Sequence, residues 1–400
     1  MAGMYLMQTI KQNMNRREFV RSALVAAGSA AAVLSSSELS WAKKIFNQEL
    51  MNKRIYSGFQ GLTDLPYFEM TDRGLLRLTV DGLDGGIDGH THFALNTLAG
   101  LKPDLQRSTT KTEYYIEPHD KISLNVYMNK NQTPADKQKM TSTIIRQMTP
   151  LGSSVTDTHT IPNLLAEMDL LRIEKAVVFP IKYGLPFGDD MTPWYLSEIE
   201  KSGEKDRFIV CGSVKPTSSN APKEVDEYKA MGLKGVKMHP NSARFYPNDR
   251  AAWPCYEAAG KNDLPVLIHC GRTGQEPKSG LARMLYSEDY ADIKNFSEPV
   301  AAFPDVRFVL CHAGALQNEE AVRIAKNHRN VWMDAQGQSV DNIRKMIKEL
   351  GPERLMFGSD FPFYPVATVL ARMLVATEKD KVVRKMIFSE NARRFWNIEK

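Results

Sequence analysis

Five of the eight histidines in this 400-residue chain, His90, His92, His239, His269 and His312, fall at or beside the ends of apolar, strand-like runs. Neutral imidazole ligates divalent cations, and its pKa also suits it to proton transfer, so histidines gathered on one face could do either job. His90-Thr91-His92 is the tightest pair. Alternate residues of a strand point the same way, so both rings would face one side and could chelate one cation from adjacent levels. Pro265-Val-Leu-Ile-His269-Cys-Gly271 and Val306-Arg-Phe-Val-Leu-Cys-His312-Ala-Gly314 share a pattern: an apolar strand ends in His, then a glycine lets the chain turn and leaves the ring free. Leu355-Met-Phe-Gly-Ser-Asp360-Phe-Pro362 ends a similar run with a carboxylate. An aspartate there could cap a helix, but the next helical pattern starts only near Val366, so capping explains it poorly. Lys237 and His239 alternate along one further run and would share its inward face.

These residues need elements that bring separate stretches of chain to one place. Short runs at 86–93, 175–180, 208–214, 233–239, 265–270, 306–312, 331–334 and 355–360 are rich in Val, Ile, Leu or Phe. Their nearly continuous apolar character is what strands covered on both faces require. Helical patterns at 163–173, 222–231, 251–262, 319–327 and 340–350 lie between them, several closed by Gly232, Asn262, Asn330 or Gly351. Eight strands alternating with helices predict an α/β fold, a (β/α)₈ TIM barrel over 81–400, whose strand ends converge on one catalytic face. A doubly wound open sheet is the alternative, but no Gly-x-Gly-x-x-Gly follows the first run. Residues 94–160 form an insertion after the first strand, with a helix expected over 134–148 and with Tyr114, Tyr115 and Tyr127 along it. It is a possible lid, or else an oligomer contact or plain embellishment. Residues 43–80 are a short N-terminal extension.

Composition excludes several classes. The chain is 42% hydrophobic and 25% charged, with a formal net charge of +5 that no single run carries. Nucleic acid is therefore not an expected partner. Cys211, Cys255, Cys270 and Cys311 are too scattered for a disulfide framework. Arg16-Arg17-Glu18-Phe19-Val20, the weakly apolar stretch 22–34 and Ser40-Trp41-Ala42 read as a bacterial signal peptide over 1–42, of the twin-arginine type that exports folded proteins. The expected destination is the periplasm or beyond, with the twin-arginine export machinery as a transient partner. The competing reading is an uncleaved basic anchor, but the apolar stretch, at about 13 residues, is short of the roughly 20 that span a bilayer. No stable membrane insertion is expected.

The ordered set His90, His92, His269, His312 and Asp360 resembles the amidohydrolase superfamily, and most closely the amidohydrolase-related subgroup that includes ACMSD-type decarboxylases. The resemblance covers about residues 84–398. Gly232-Leu-Lys-Gly-Val-Lys-Met-His-Pro240, the stretch through Tyr246-Pro247 and the closing Ser389-Glu-Asn-Ala-Arg-Arg-Phe395 support it. The resemblance implies a metal held by His90, His92, His269 and Asp360. It makes His312 a catalytic histidine, or a ligand of a second metal. That donor set suits one divalent ion, Zn²⁺ first, with Mn²⁺, Fe²⁺ or Co²⁺ as options. Such a cation lowers the pKa of bound water to about 7, with Asp360 placed to take its proton. Lys237 and His239 could serve a second metal or the substrate, Lys237 as a carboxylated bridge or as a plain charge; an internal salt bridge is the bland alternative. Tyr183, Trp194, Arg244 and Arg272 follow strand ends and are candidate contacts to a small, carboxylate-bearing molecule. A homo-oligomer is compatible with all of this.

The leading expectation is a hydrolase in which metal-activated water attacks a C–N or C–O bond of an amide, lactone or ester. The alternative is a lyase: non-oxidative decarboxylation or hydration of an unsaturated or aromatic carboxylic acid at the same site. A non-catalytic barrel is a third reading, which the full set of ligand positions disfavours.

Overall fold

A computed structural model describes residues 55–96, 102–116, 121–150, 152–185 and 190–398. The expected leader over 1–42 lies outside the described residues, as does the start of the extension. Among those described, residues 55–63 and those from Tyr67 onward form one compact unit.

Its centre is a ring of parallel strands: β1 (Gly86–Thr91), β2 (Ile173–Val178), β3 (Phe208–Val210, resuming as Gly212–Ser213), β4 (Val236–Met238), β5 (Val266–His269), β6 (Phe308–Cys311), β7 (Val331–Asp334) and β8 (Leu355–Met356). Each pairs in parallel with the next in chain order. The last meets the first. Gly89 N donates to Phe357 O at 2.9 Å, Asp360 N to His90 O at 2.8 Å, and Thr91 bridges Phe361. A doubly wound sheet would leave two open edges; this one has closed into the (β/α)₈ barrel.

The strands are shorter than their apolar runs, and two differ for local reasons. The third run breaks at Cys211, where the chain changes neighbours: Cys211 N donates to Val178 O and Gly212 N to Gly235 O, each at 3.0 Å. Gly212 lies directly under the Tyr228 ring, where a Cβ would sit 2.3 Å from Cδ2. The eighth run loses strand geometry after Met356, and at Asp360 the chain adopts a left-handed φ of 63°. That turn directs the carboxyl rather than prolonging the strand.

Helices α1 (Ile161–Leu170), α2 (Thr192–Ser202), α3 (Ala221–Ala230), α4 (Trp253–Lys261), α5 (Ser297–Ala302), α6 (Asn318–Asn327), α7 (Val340–Leu350) and α8 (Val366–Ala376) follow the strands in turn. The α7 segment shows why: Ser339 caps it by accepting from Asn342 N, and Val340, Ile343 and Met346 bury one stripe. Inside the barrel, Ile87, Val177, Phe179, Leu267, Val309 and Met356 pack together, joined by Phe395 of the closing helix Asn391–Trp396. All four cysteines are buried and free.

The insertion leaves β1 and returns at α1. Its helix runs Pro134–Arg146, started by a reciprocal Thr133–Asp136 cap. Ile122–Ser123 within it pairs antiparallel with Ile55–Tyr56 of the N-terminal extension, which also carries the hairpin Phe68–Met70 with Leu76–Leu78. No helix among the described residues is long and apolar enough to cross a membrane.

Candidate active site

The strand ends deliver their side chains to one place. His90, within β1, has its Nδ1 3.0 Å from Asp334 Oδ2 at the end of β7 and its Nε2 3.4 Å from Asp360 Oδ1. His92 Nε2 lies 3.2 Å from that same Asp360 oxygen, and His92 Nδ1 donates to Phe179 O at 2.7 Å. A carbonyl only accepts, so the His92 proton sits on Nδ1; the Asp334 carboxylate draws the His90 proton to its Nδ1. Both Nε2 lone pairs therefore face a carboxylate oxygen. That arrangement calls for a cation or a proton between them, and the ligand atoms of His90, His92 and Asp360 lie within 4.8 Å of one another. His269 adds a further donor: its Nε2 is buried with no hydrogen-bond partner. These residues fit a divalent metal, with Asp334 behind His90 as the carboxylate that orients a ligand.

Backbone form explains the approach. Gly358 has no Cβ because one would lie 2.9 Å from His90 Cβ. After β6 the chain turns left-handed at His312 (φ 61°) and Ala313 (φ 45°), which swings the His312 ring back over the barrel mouth. Its centroid is 4.8 Å from that of His90 and 4.5 Å from that of His269. Asp334 Oδ1 accepts from His312 N at 2.7 Å, Gln336 Oε1 is hydrogen-bonded to His312 Nδ1, and Asp360 Oδ2 lies 4.0 Å from that nitrogen.

The strand-four pair also arrives. His239 stacks on His269 with centroids 4.1 Å apart, and its Nδ1 accepts from Ser242 N at 3.3 Å. Lys237 is buried below, with Nζ 3.5 Å from His90 Nε2, 3.2 Å from Cys311 Sγ and 4.5 Å from the Phe179 ring centre. No carboxylate salt bridge explains it among the described residues.

Burial sets the protonation pattern. It drives the His92 pKa down to about 3 and that of His312 to about 4, and it holds His90, His239 and His269 well below the ordinary imidazole range. All five rings are neutral at pH 7, as metal ligation requires. Burial also pushes the Asp360 carboxyl up to about 7, against the pull of His312 and Lys237, and Asp334 up to about 6.

Above these groups opens a cleft of about 990 Å³, counting its mouth. The insertion supplies its roof with Ile116, Tyr127, Asn129, Met140, Ile144, Ile145 and Met148. Lys137 Nζ donates to Gly274 O at 2.7 Å and Asn129 Nδ2 to Thr273 O at 3.0 Å, tying this roof to the segment after β5. Of the candidate substrate contacts, Tyr183 lines the cleft and accepts from Gln147 Nε2 at 3.3 Å. The other three turn elsewhere. Arg272 pairs with Asp289 at 2.7 Å and Asp292 at 3.1 Å; Arg244 donates to Met284 O at 3.1 Å; Trp194 lies against Tyr195 and beneath Lys102. Two carboxylates hold the Arg272 guanidinium, and the exposed Arg244 side chain reaches a backbone carbonyl. Asp334 and Gln336 were not singled out from sequence, although Asp334 ends its run as Asp360 ends another. Tyr127 and Asn129 carried no spacing signal.

The sequence pattern of the amidohydrolase family matches residues 87–398. The chain belongs to the amidohydrolase family. Three solved structures resemble this amidohydrolase in fold. IDCase of Metarhizium anisopliae, in apo form, is 18% identical, with 79% of this chain and 98% of that one covered and a TM-score of 0.52. A dihydroxybenzoic acid decarboxylase of Polaromonas, with bound manganese and the inhibitor 2-nitroresorcinol, is 14% identical over 79% and 98%, TM-score 0.51. An uncharacterized TIM-barrel protein of Bordetella bronchiseptica is 17% identical over 78% and 98%, TM-score 0.51. No curated protein sequence matches the chain. Family and site together make this a metal-dependent enzyme.

Proposed function

We propose that this amidohydrolase is a metal-dependent, non-oxidative decarboxylase of an aromatic or unsaturated carboxylic acid, with hydrolysis as the reading it displaces. The observation that carries the proposal is the cleft itself: Asp360 is the single carboxyl group among its lining residues, set beneath an apolar roof of Ile116, Met140, Ile144, Ile145 and Met148. Loss of CO₂ consumes no water and gains when the carboxylate leaves water for apolar surroundings. Hydrolysis must keep a water molecule in that space. The neighbour named as a dihydroxybenzoic acid decarboxylase, which holds manganese, lends support at the level of fold.

His90, His92, His269 and Asp360 would hold one divalent ion, Zn²⁺ or Mn²⁺ by the donor set of three nitrogens and one carboxylate. When bound, the ion supplies positive charge that polarises substrate oxygens. The chain's own residues do the rest. The neutral rings of His90 and His92 are held by Asp334 and Phe179 O, so they do not compete for the proton. Asp360 in its acid form gives a proton to the carbon that bears the carboxylate. The C–C bond breaks as that C–H bond forms, CO₂ leaves, and Asp360 regains its proton from solvent. His312, fixed by Gln336 and Asp334, remains neutral and orients the acid. A twin-arginine leader with cleavage after Ala42 is part of the same proposal and rests on the sequence of residues 16–42; N-terminal sequencing of the exported protein checks it.

The decisive assay offers the metal-loaded enzyme hydroxybenzoic acids alongside lactones and amides and identifies the products. Release of CO₂ with the matching arene, lowered about 10³-fold or more in Asp360→Asn, is the expected result. Hydrolytic products without CO₂ would overturn the proposal.

A further inference from the structure

Residues 123–129 of the insertion are fastened group by group. Arg372, fully buried on α8, donates to Ser123 O at 2.9 Å, Leu124 O at 3.3 Å and Val126 O at 2.7 Å. Val340 N donates to Leu124 O at 2.9 Å and Met128 N to Gly337 O at 2.8 Å. Asn129 is engaged by Thr273 O and by the Tyr364 hydroxyl. Tyr127 is the exception in this segment. Its side chain is 5% exposed and lines the cleft, yet its hydroxyl has no hydrogen-bond partner among the described residues.

Other cleft tyrosines are satisfied within the protein. Tyr286 is hydrogen-bonded to Asn241 Nδ2 at 3.1 Å and Thr273 Oγ1 at 3.3 Å, Tyr183 to Gln147, and Tyr364 to Asn129. A buried phenol ordinarily finds a partner. The Tyr127 ring is also placed deliberately: Gly337, at φ 67°, leaves the space for it, since a Cβ there would lie 3.0 Å from Tyr127 Cε2. Asp360, Tyr364 and Tyr286 line the same cleft. The free donor therefore faces the cleft that Asp360 also lines.

We propose that Tyr127 determines specificity by donating its hydroxyl hydrogen to an oxygen on the substrate other than the departing carboxylate, a ring hydroxyl or oxo group. This rests on the reading of the cleft as a decarboxylase site and narrows its substrate to oxygen-bearing acids. A donor on the departing carboxylate would hold the charge which that group must shed. A donor on a ring oxygen leaves that group free and turns the carbon that bears it towards Asp360.

Tyr127→Phe keeps the ring and removes only the donor. With the metal-loaded full chain and 2-nitroresorcinol as probe, calorimetry should show affinity lowered about tenfold or more, at wild-type metal content and melting temperature. For a hydroxybenzoic acid that the enzyme turns over, kcat/KM should fall about 10- to 100-fold, and for the hydroxyl-free analogue less than about twofold. Equal probe affinity in the two proteins, or no probe binding by the wild type, would overturn the role of Tyr127. If the wild type hydrolyses esters or amides instead, the decarboxylase reading falls and the probe titration still judges Tyr127. If it decarboxylates and the variant matches it, only Tyr127 falls.

Discussion

The strand side and the insertion side of the cleft are assembled by different physics. On the strand side, His90, His92, His269, His312 and Asp360 stand where parallel strands end, so their convergence follows from barrel closure and from left-handed turns at His312 and Asp360. On the insertion side, the segment that carries Tyr127 and Asn129 is held from far along the chain, with Arg372 alone grasping the carbonyls of Ser123, Leu124 and Val126. The side chains that would hold a metal therefore have different partners from the carbonyls that fasten the roof.

Three substitutions sharpen or break that contrast. Arg372→Met keeps the apolar stem but removes the guanidinium from the carbonyls of Ser123, Leu124 and Val126, leaving Ser123 O to Asn131 Nδ2 and Leu124 O to Val340 N. It should lower unfolding free energy by about 2–4 kcal/mol in urea titration. It should also raise KM while metal content stays at the wild-type level. Loss of the metal together with the roof would show the two sides to be one unit.

The reverse experiment is smaller. Asp334→Asn retains an oxygen for His312 N and Gln336 N but no longer offers His90 Nδ1 a carboxylate. Metal affinity should drop about 10- to 100-fold in competition with a chelator. Hydrogen exchange over 123–129 should not change.

The smallest effect concerns the joint between the sides. Glu167 on α1 accepts from the Tyr114 hydroxyl of the insertion at 2.6 Å and from Val366 N, the first residue of α8, at 2.9 Å. Burial raises its pKa from 4.5 to about 7. The folded form therefore holds a proton that the unfolded chain has lost. The stabilisation is complete below about pH 4.5 and disappears as pH rises through about 7. Glu167→Gln should remove that share of the decline, so the wild type's melting temperature should fall more than the variant's between pH 5 and pH 8. Parallel curves would mean that Glu167 does not carry the charge change.

Much of the strand side was legible in the residues. A histidine or aspartate at the end of an apolar run, followed by glycine or proline, is a local pattern, and β7 at Val331–Asp334 matches its run residue for residue. The barrel was legible because strands buried on both faces announce themselves by continuous apolar character. Much of the cleft lining was not. Arg272 looked free beside a strand end, but Asp289 and Asp292 stand 17 and 20 positions further along the chain. Tyr127 looked like one aromatic among several in a long insertion, and only the three-dimensional fastening of its neighbours singles it out.

What this chain determined by itself is therefore the alternation of strands and helices, the class of ligand at each strand end and the resemblance those ligands carry, since each depends on residues a few positions apart. Tertiary structure alone decided which lone pairs face one another, that Arg272 is neutralised by Asp289 and Asp292, and which hydroxyl is left without a partner among the described residues. Those outcomes depend on groups separated by tens to hundreds of residues, such as His90 with Asp334 or Arg372 with Ser123, whose meeting no local spacing encodes.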